Sequence, residues 1–272
     1  MKRCYALVVG IGEYDEPQLL DLSKPRTDAE AIAQLLTDRF EVTLLNDRVT
    51  RSRLRKALET LLLKQGKNSD VLIYFTGHGF TAGEDEDGAQ GYLATQDCRV
   101  DVEGRRILSV LRGVSFQSLS GLIARAELSS LIMLLDCCHA RSFIESGQAR
   151  EKLNVLNDTR YCLITAYRSF EQAYEMTDAQ HSIFPAAVFA ALRKEESQVT
   201  ALDVLCQVEN DLSGAGQEPI YLEAGGDLPI VDRRSVQIQT VSEECPYQRL
   251  QAFTPETAAV FFGRVAVTQQ LV

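Results

Sequence analysis

Six unbroken apolar runs of strand length punctuate the chain: CYALVVG (4–10), VTLLN (42–46), VLIYF (71–75), SLIMLL (130–135), YCLIT (161–165) and PIYLEA (219–224). Continuous rather than alternating apolarity suits strands buried on both faces, as in a parallel sheet. Helical periodicities stand between them. Thr27 and Glu30 have the spacing of a capping box opening TDAEAIAQLLTDRF, with Ile32, Leu35 and Leu36 as its apolar stripe. TRSRLRKALETLLLKQG places Leu54, Leu58, Leu61 and Leu62 on one face and stops at Gly66. SFQSLSGLIARAEL, SIFPAAVFAALRK and TALDVLCQVENDL follow. Strand and helix in regular alternation predict an α/β protein: an α/β/α sandwich with a mostly parallel six-stranded sheet and helices on both faces.

Two segments interrupt this rhythm. TAGEDEDGAQG (81–91) is acidic and glycine-punctuated, which predicts a solvated loop, and residues 140–160 have mixed charge and no period, which predicts a long surface loop. The α/β pattern ends near residue 236, so the expected organisation is one domain over 1–236 and a linker with the start of a further module over 237–272. No internal repeat is present.

Composition narrows the class without choosing a function. The 272 residues are 45% apolar and 24% charged, the proportions of ordinary soluble domains. No run approaches the length of a membrane span, and the opening MKRCYALVVGIGEYDEP lacks the features of a secretory signal, so a cytoplasmic protein without a membrane partner is expected. Seven cysteines without framework spacing or CxxC predict reduced thiols rather than a disulfide scaffold or zinc ribbon. A formal charge of −10 argues against a direct nucleic-acid partner.

The chemistry concentrates where two buried strands end, the usual place for sites in open α/β sheets. VLIYFTGHGF leaves His78 between Gly77 and Gly79, and LIMLLDCCHA ends in Asp136, Cys137, Cys138 and His139. A thiol needs a neighbouring base to become a nucleophile at neutral pH, and backbone N–H groups must hold the oxyanion that its attack creates. His78 is the candidate base, with the N–H groups of Gly79 and the nucleophile as oxyanion donors. Alternation along an extended chain end sends residues 136 and 138 to one side and 137 to the other. Cys138 is therefore the candidate nucleophile, Cys137 points into the fold, and Asp136 lies about 6 to 7 Å from Cys138. A carboxylate there favours an Arg or Lys side chain in the substrate.

Metal binding fits these residues poorly, since adjacent Cys137, Cys138 and His139 lack the spacing that wraps a tetrahedral ion. Either thiol alone, or His78 alone, is more simply a packing residue; their joint placement at two strand ends carries the functional reading. His139 follows the nucleophile directly and suits packing rather than proton transfer. VVGIGEY has only Gly10 and Gly12 of a dinucleotide-binding fingerprint and predicts a strand-end turn. His181 is expected near a helix start with no evident partner.

These motifs together resemble the caspase-like cysteine peptidases, in their prokaryotic and metacaspase branch, over about residues 4–232. The resemblance is carried by YALVVGIGEY, TDAEAIAQLL, VLIYFTGHGF, LIMLLDCCHA, ITAYRSFEQAYE with SIFPAAVFAAL, and EPIYLEAGGDLPIV, in that order. It implies His78 as general base and acid and Cys138 as nucleophile. It implies Asp28 joining Asp136 in a pocket for Arg or Lys, and Ala166, Tyr167, Arg168 and Ser169 pairing with the extended substrate as an added strand. It further implies maturation by self-cleavage after the nucleophile, with Arg141, Arg150, Lys152 and Arg160 as basic candidates.

The chain departs from the pattern at Ala140 and Arg141, where metacaspases usually have Ser-Gly, so the adjoining loop differs. Some metacaspases require calcium, but the acidic run GEDEDG misses the EF-hand spacing, so no cofactor is expected. The final CPYQRLQAFTPETAAVFFGRVAVTQQLV is similar to the entry of a STAND-type NTPase module, without a phosphate-binding loop after it. The implied protein is a cytoplasmic endopeptidase cutting proteins after Arg or Lys. An upstream activator or fused sensor would control it, as in bacterial signalling or antiviral defence. The competing class is a non-proteolytic signalling or scaffold module of the same fold.

Overall fold

The structure is a computed structural model that describes residues 3–83, 90–104, 106–137, 159–166, 181–213 and 219–233. Its centre is a six-stranded sheet built from β1 (Cys4–Gly10), β2 (Glu41–Leu45), β3 (Asp70–Thr76), β9 (Ser130–Asp136), β10 (Arg160–Ala166) and β12 (Pro219–Ala224). The spatial order is β12-β10-β9-β3-β1-β2, with β12 antiparallel to its neighbour and the other strands parallel. Each of the six apolar runs is a strand of this sheet, displaced by one residue at most at either end.

Strand parity divides the core into two layers. Leu7, Val9, Ile73, Phe75, Met133 and Leu135 face helices α2 (Arg51–Thr60) and α3 (Phe116–Ile123), whose Leu54, Leu58, Leu119 and Leu122 close that side. Ala6, Val8, Leu72, Tyr74, Ile132 and Leu134 face α1 (Pro25–Leu36), α4 (Ile183–Leu192) and α5 (Ala201–Ser213). All seven residues of β3 and of β9 are buried. Each large apolar side chain removed from water contributes roughly 1.5 to 3 kcal/mol, so these two strands are the most firmly held place from which to present a side chain. The structure is thus the sandwich that the apolar pattern predicts, and the sheet's carboxyl ends define one edge.

Local signals were less uniform. Thr27 does not cap α1: the helix begins two residues earlier, with Lys24 at the N-cap, Pro25 at the first position and Thr27 Oγ1 donating to Lys24 O at 2.9 Å. Proline there loses no helical hydrogen bond and has its φ already set. At α2, Thr50 accepts from Arg53 N–H, and after Thr60 the helix widens into a π-turn over Leu61–Gln65 before Gly66 ends it.

The stretch between β3 and α3 holds elements that the apolar pattern did not announce. β4 (Gly79–Ala82), β5 (Gln90–Leu93) and β8 (Val114–Ser115) form a three-stranded sheet, and β6 (Arg99–Glu103) with β7 (Arg106–Leu111) forms a hairpin. Thr81–Ala82 and Gln90–Gly91, expected in a loop, are thus paired strand ends. A third small core of Phe80, Ala94, Cys98 and Val100 lies here, and Tyr14 and Leu19 pack on it. A further pair, β11 (Gln198–Thr200) and β13 (Pro229–Asp232), packs beside α5. The predicted boundary at 236 and the tail 237–272 lie outside the described residues, as does most of the predicted loop 140–160.

Gly10 shows how closely the layers meet. A Cβ there would collide with the Pro25 carbonyl oxygen and stand 2.7 Å from Ala29 Cβ. Gly10 therefore admits the first turn of α1, and Gly12 the Leu22 carbonyl just before it. Gly10→Ala is expected to cost about 3 kcal/mol, the upper end of overpacking penalties, because backbone atoms cannot rotate away; urea unfolding monitored by circular dichroism measures it.

Candidate active site

β3 and β9 run side by side in unbroken register, from Asp70 opposite Ser130 to Thr76 opposite Asp136. Two bonds tie their carboxyl ends: Thr76 Oγ1 donates to Asp136 Oδ2 at 2.9 Å, and Gly77 N–H donates to Asp136 O at 3.2 Å. Gly77 has φ +152°, and a Cβ there would stand 3.0 Å from both Ile11 O and Tyr14 Oη. Glycine is thus required for the chain to leave β3 and present His78.

Three groups fix His78. Its N–H donates to Tyr14 Oη at 2.8 Å, and that hydroxyl donates to Ile11 O at 2.9 Å. Its ring lies 4.8 Å from the Tyr14 ring and 5.9 Å from Phe80, measured between centroids. Its Nε2 is 2.8 Å from Leu20 O. A carbonyl oxygen only accepts, so Nε2 carries the proton and Nδ1 is left as the basic nitrogen. Burial lowers the His78 pKa below its ordinary value, against smaller raising effects of the Leu20 hydrogen bond and the Asp21 charge. The imidazole is therefore neutral at pH 7. Burial also pushes the Tyr14 hydroxyl far up, keeping it protonated as a donor.

The segment carrying Leu20 is itself pinned. Tyr14 N–H donates to Asp21 Oδ1, Asp15 N–H to Gln96 O, and Leu22 N–H to Gly12 O. Leu19 packs on the small core beneath the β6–β7 hairpin. The added strands thus brace the loop that orients the imidazole. The roles of Tyr14 and Leu20 were not legible in the sequence: a carbonyl belongs to every residue, and Tyr14 lies far from His78 along the chain.

At the end of β9 the two neighbours part as alternation predicts. Asp136 is 5% exposed, and Cys137 is 3% exposed among the apolar residues facing α2 and α3. Asp28, in the first turn of α1, is fully buried and within electrostatic reach of Asp136, which helps to push its carboxyl upward; the larger cause is burial. Asp28 and Asp136 are thus both buried, and the charge of one reaches the other. His181, expected to lack a partner, has one: its Nδ1 is 2.6 Å from Asp28 Oδ1. The chain turns into α4 beside α1, which sequence distance concealed.

Gly79 opens β4 opposite Leu93. Ala166 closes β10 opposite Pro219, so one of its edges is already paired. Arg160 opens β10 opposite Ser130, inside the central sheet, so cleavage after it would require that end of the strand to detach. Cys138, Tyr167, Arg168, Ser169, Arg141, Arg150 and Lys152 lie outside the described residues, as do His139 and residues 84–89 of the acidic run weighed for calcium. Cys98 and Cys162 are poor nucleophiles, since burial pushes their thiols up to about 11 and about 12. The described cysteines are free thiols, and no described helix is long and apolar enough to cross a membrane.

Comparison with known proteins places this arrangement. No curated protein matches the chain. The crystal structure of protein GSU0716 from Geobacter sulfurreducens is similar in fold, with a TM-score of 0.58 and 14% identity over 82% of this chain and 94% of that one. The caspase domain family matches residues 3–240, which includes both strand ends that carry the candidate dyad. The chain belongs to the caspase-domain family of cysteine peptidases.

Proposed function

We propose that this protein is a cytoplasmic cysteine endopeptidase that cleaves after Arg, and less readily after Lys, with Cys138 as nucleophile and His78 as proton carrier. The observation that supports this best is the register of β3 against β9. The last pair is Thr76 with Asp136, and His78 and Cys138 each follow it by two residues. The sequence thus sets an imidazole and a thiol each two residues beyond the last paired residues of neighbouring strands.

His78 Nδ1 takes the thiol proton, and the sulfur attacks the carbonyl carbon of the substrate. The Gly79 and Cys138 N–H groups hold the oxyanion, aided by the turn at Gly77. The imidazolium then protonates the leaving amine as the C–N bond breaks, giving an acyl-enzyme. Water, deprotonated by the same nitrogen, releases the carboxylate product and restores the thiol. These groups supply every proton and charge, so the reaction calls for no metal or other cofactor. Asp28 and Asp136 favour a cationic side chain just before the cleaved bond, and residues 166–169 receive the extended substrate backbone. Self-cleavage after Arg141, Arg150 or Lys152 would mature the enzyme. An upstream activator or fused sensor would place it as an effector in bacterial signalling or defence. The scaffold reading gives no use for an imidazole held with Nδ1 free to act.

Fluorogenic peptides with Arg, Lys, Asp or Leu before the reporter test this reading. The expected order is Arg, then Lys, with Asp and Leu at background; preference for Asp rules out the acidic pocket, and no cleavage of any peptide favours the scaffold. Tyr14→Phe is expected to lower kcat on the Arg peptide about ten-fold with KM little changed, because the His78 N–H loses its acceptor and the ring its support.

A further inference from the structure

Asp28 is held from a distant part of the chain. His181 Nδ1 stands 2.6 Å from Oδ1, and the Ser182 N–H donates to Oδ2 at 3.4 Å. The carboxylate is fully buried, while the His181 side chain is 17% exposed. The His181 ring lies 5.3 Å from the Phe189 ring, one helix face along α4, so the imidazole is clasped between α1 and α4. The charge of Asp136, whose Oδ2 accepts from the Thr76 hydroxyl at 2.9 Å, reaches Asp28.

Two buried carboxylates that share one site repel each other, and ordinarily one of them takes up a proton. Burial and the charge of Asp136 both push the Asp28 carboxyl in that direction, and the hydrogen bond and charge of His181 oppose them. A pocket reduced to one carboxylate would discriminate weakly between a guanidinium and a neutral side chain of the same shape. The second acid is useful only if something keeps it ionised and aimed.

We propose that His181 is the positioning residue of the cation pocket: by bonding Asp28 Oδ1 it fixes that carboxylate beside Asp136 and offsets their repulsion, so that the two acids together accept one guanidinium or ammonium side chain. This rests on the reading of Asp28 and Asp136 as the substrate's basic-residue pocket. A purely structural clasp of α4 to α1 would instead affect folding stability and leave ligand discrimination unchanged.

Agmatine, a small guanidinium compound, separates these roles when its binding is measured by calorimetry at pH 7 in the full-length Cys138→Ala protein, where no turnover occurs. His181→Leu and Asp28→Asn are each expected to weaken binding about ten-fold. His181→Asn, which keeps a hydrogen-bond donor toward Oδ1, should stay within about three-fold of the parent. In the active enzyme, His181→Leu should raise KM for an Arg peptide with little change in kcat and leave a citrulline peptide unaffected. Agmatine binding to His181→Leu as tight as to the parent overturns the proposal, and so does a parent that does not bind agmatine. If His181→Leu does not fold, nitrogen NMR of His181 in the parent decides: agmatine should shift both ring nitrogens, and unmoved resonances at saturation overturn the proposal. Agmatine binding with the expected variant pattern but no peptide cleavage defeats the peptidase reading alone. Cleavage after Arg with His181→Leu unchanged defeats the positioning role alone.

Discussion

Replacing Cys138 with Ala is expected to lower kcat on an Arg peptide by about four orders of magnitude or more, the cost of losing the nucleophile where oxyanion donors and binding remain. Melting temperature should change little, since Cys to Ala removes a single heavy atom. Cys137→Ala makes the opposite pattern. Its side chain is 3% exposed among the apolar residues facing α2 and α3, so removing it leaves a small cavity and costs about 1 to 2 kcal/mol of stability. Its activity should stay within a few-fold of wild type. The pair of variants thus separates packing from attack at adjacent positions, and activity surviving in Cys138→Ala would reverse the assignment.

Asp136→Asn is expected to lower kcat/KM for the Arg peptide by about 100-fold, within the roughly 2 to 5 kcal/mol that follows loss of one partner from a buried charge pair. Most of the effect should lie in KM. The fold should tolerate the change, because the Asn oxygen can still accept from Thr76 Oγ1, now 2.9 Å from Asp136 Oδ2. Asp28 should also be relieved, since the charge of Asp136 is one of the causes that push its carboxyl upward. Stability is therefore expected to be equal to or above that of wild type while Arg cleavage collapses. Steady-state kinetics with the Arg and Lys peptides, beside thermal melting, measure both arms. An unchanged preference for Arg would remove Asp136 from the pocket.

The central sheet was legible because its inner strands β1, β3, β9 and β10 are buried on both faces and so leave apolar runs. Alternation at the end of β9 was legible for the same reason: a two-residue period continues past the last ladder pair, sending Cys137 into the core. The small strands were not, because β6 and β7 are short, half-exposed and rich in charge, as in RVDVE, and only the packing of Val100, Val102, Ile107 and Val110 onto Phe80 gives them a core. The start of α1 went wrong because a capping-box spacing at Thr27 competes with Pro25, whose fixed φ already favours the first helical position.

The site was legible in its strand-end residues and hidden in its supports. His78 and Asp136 stand out because reactive side chains follow apolar runs. Tyr14, the Leu20 carbonyl and His181 act through contacts that join distant segments, and no local pattern marks them.

The most direct measurement is covalent. An Arg-based chloromethyl ketone peptide should inactivate the enzyme and add one mass equivalent, and peptide mapping should place the adduct on the sulfur of Cys138. Prior Asp136→Asn substitution should slow that labelling. An adduct on Cys137, or labelling as fast with an Asp-based ketone as with the Arg one, contradicts a basic-residue peptidase with Cys138 as its nucleophile.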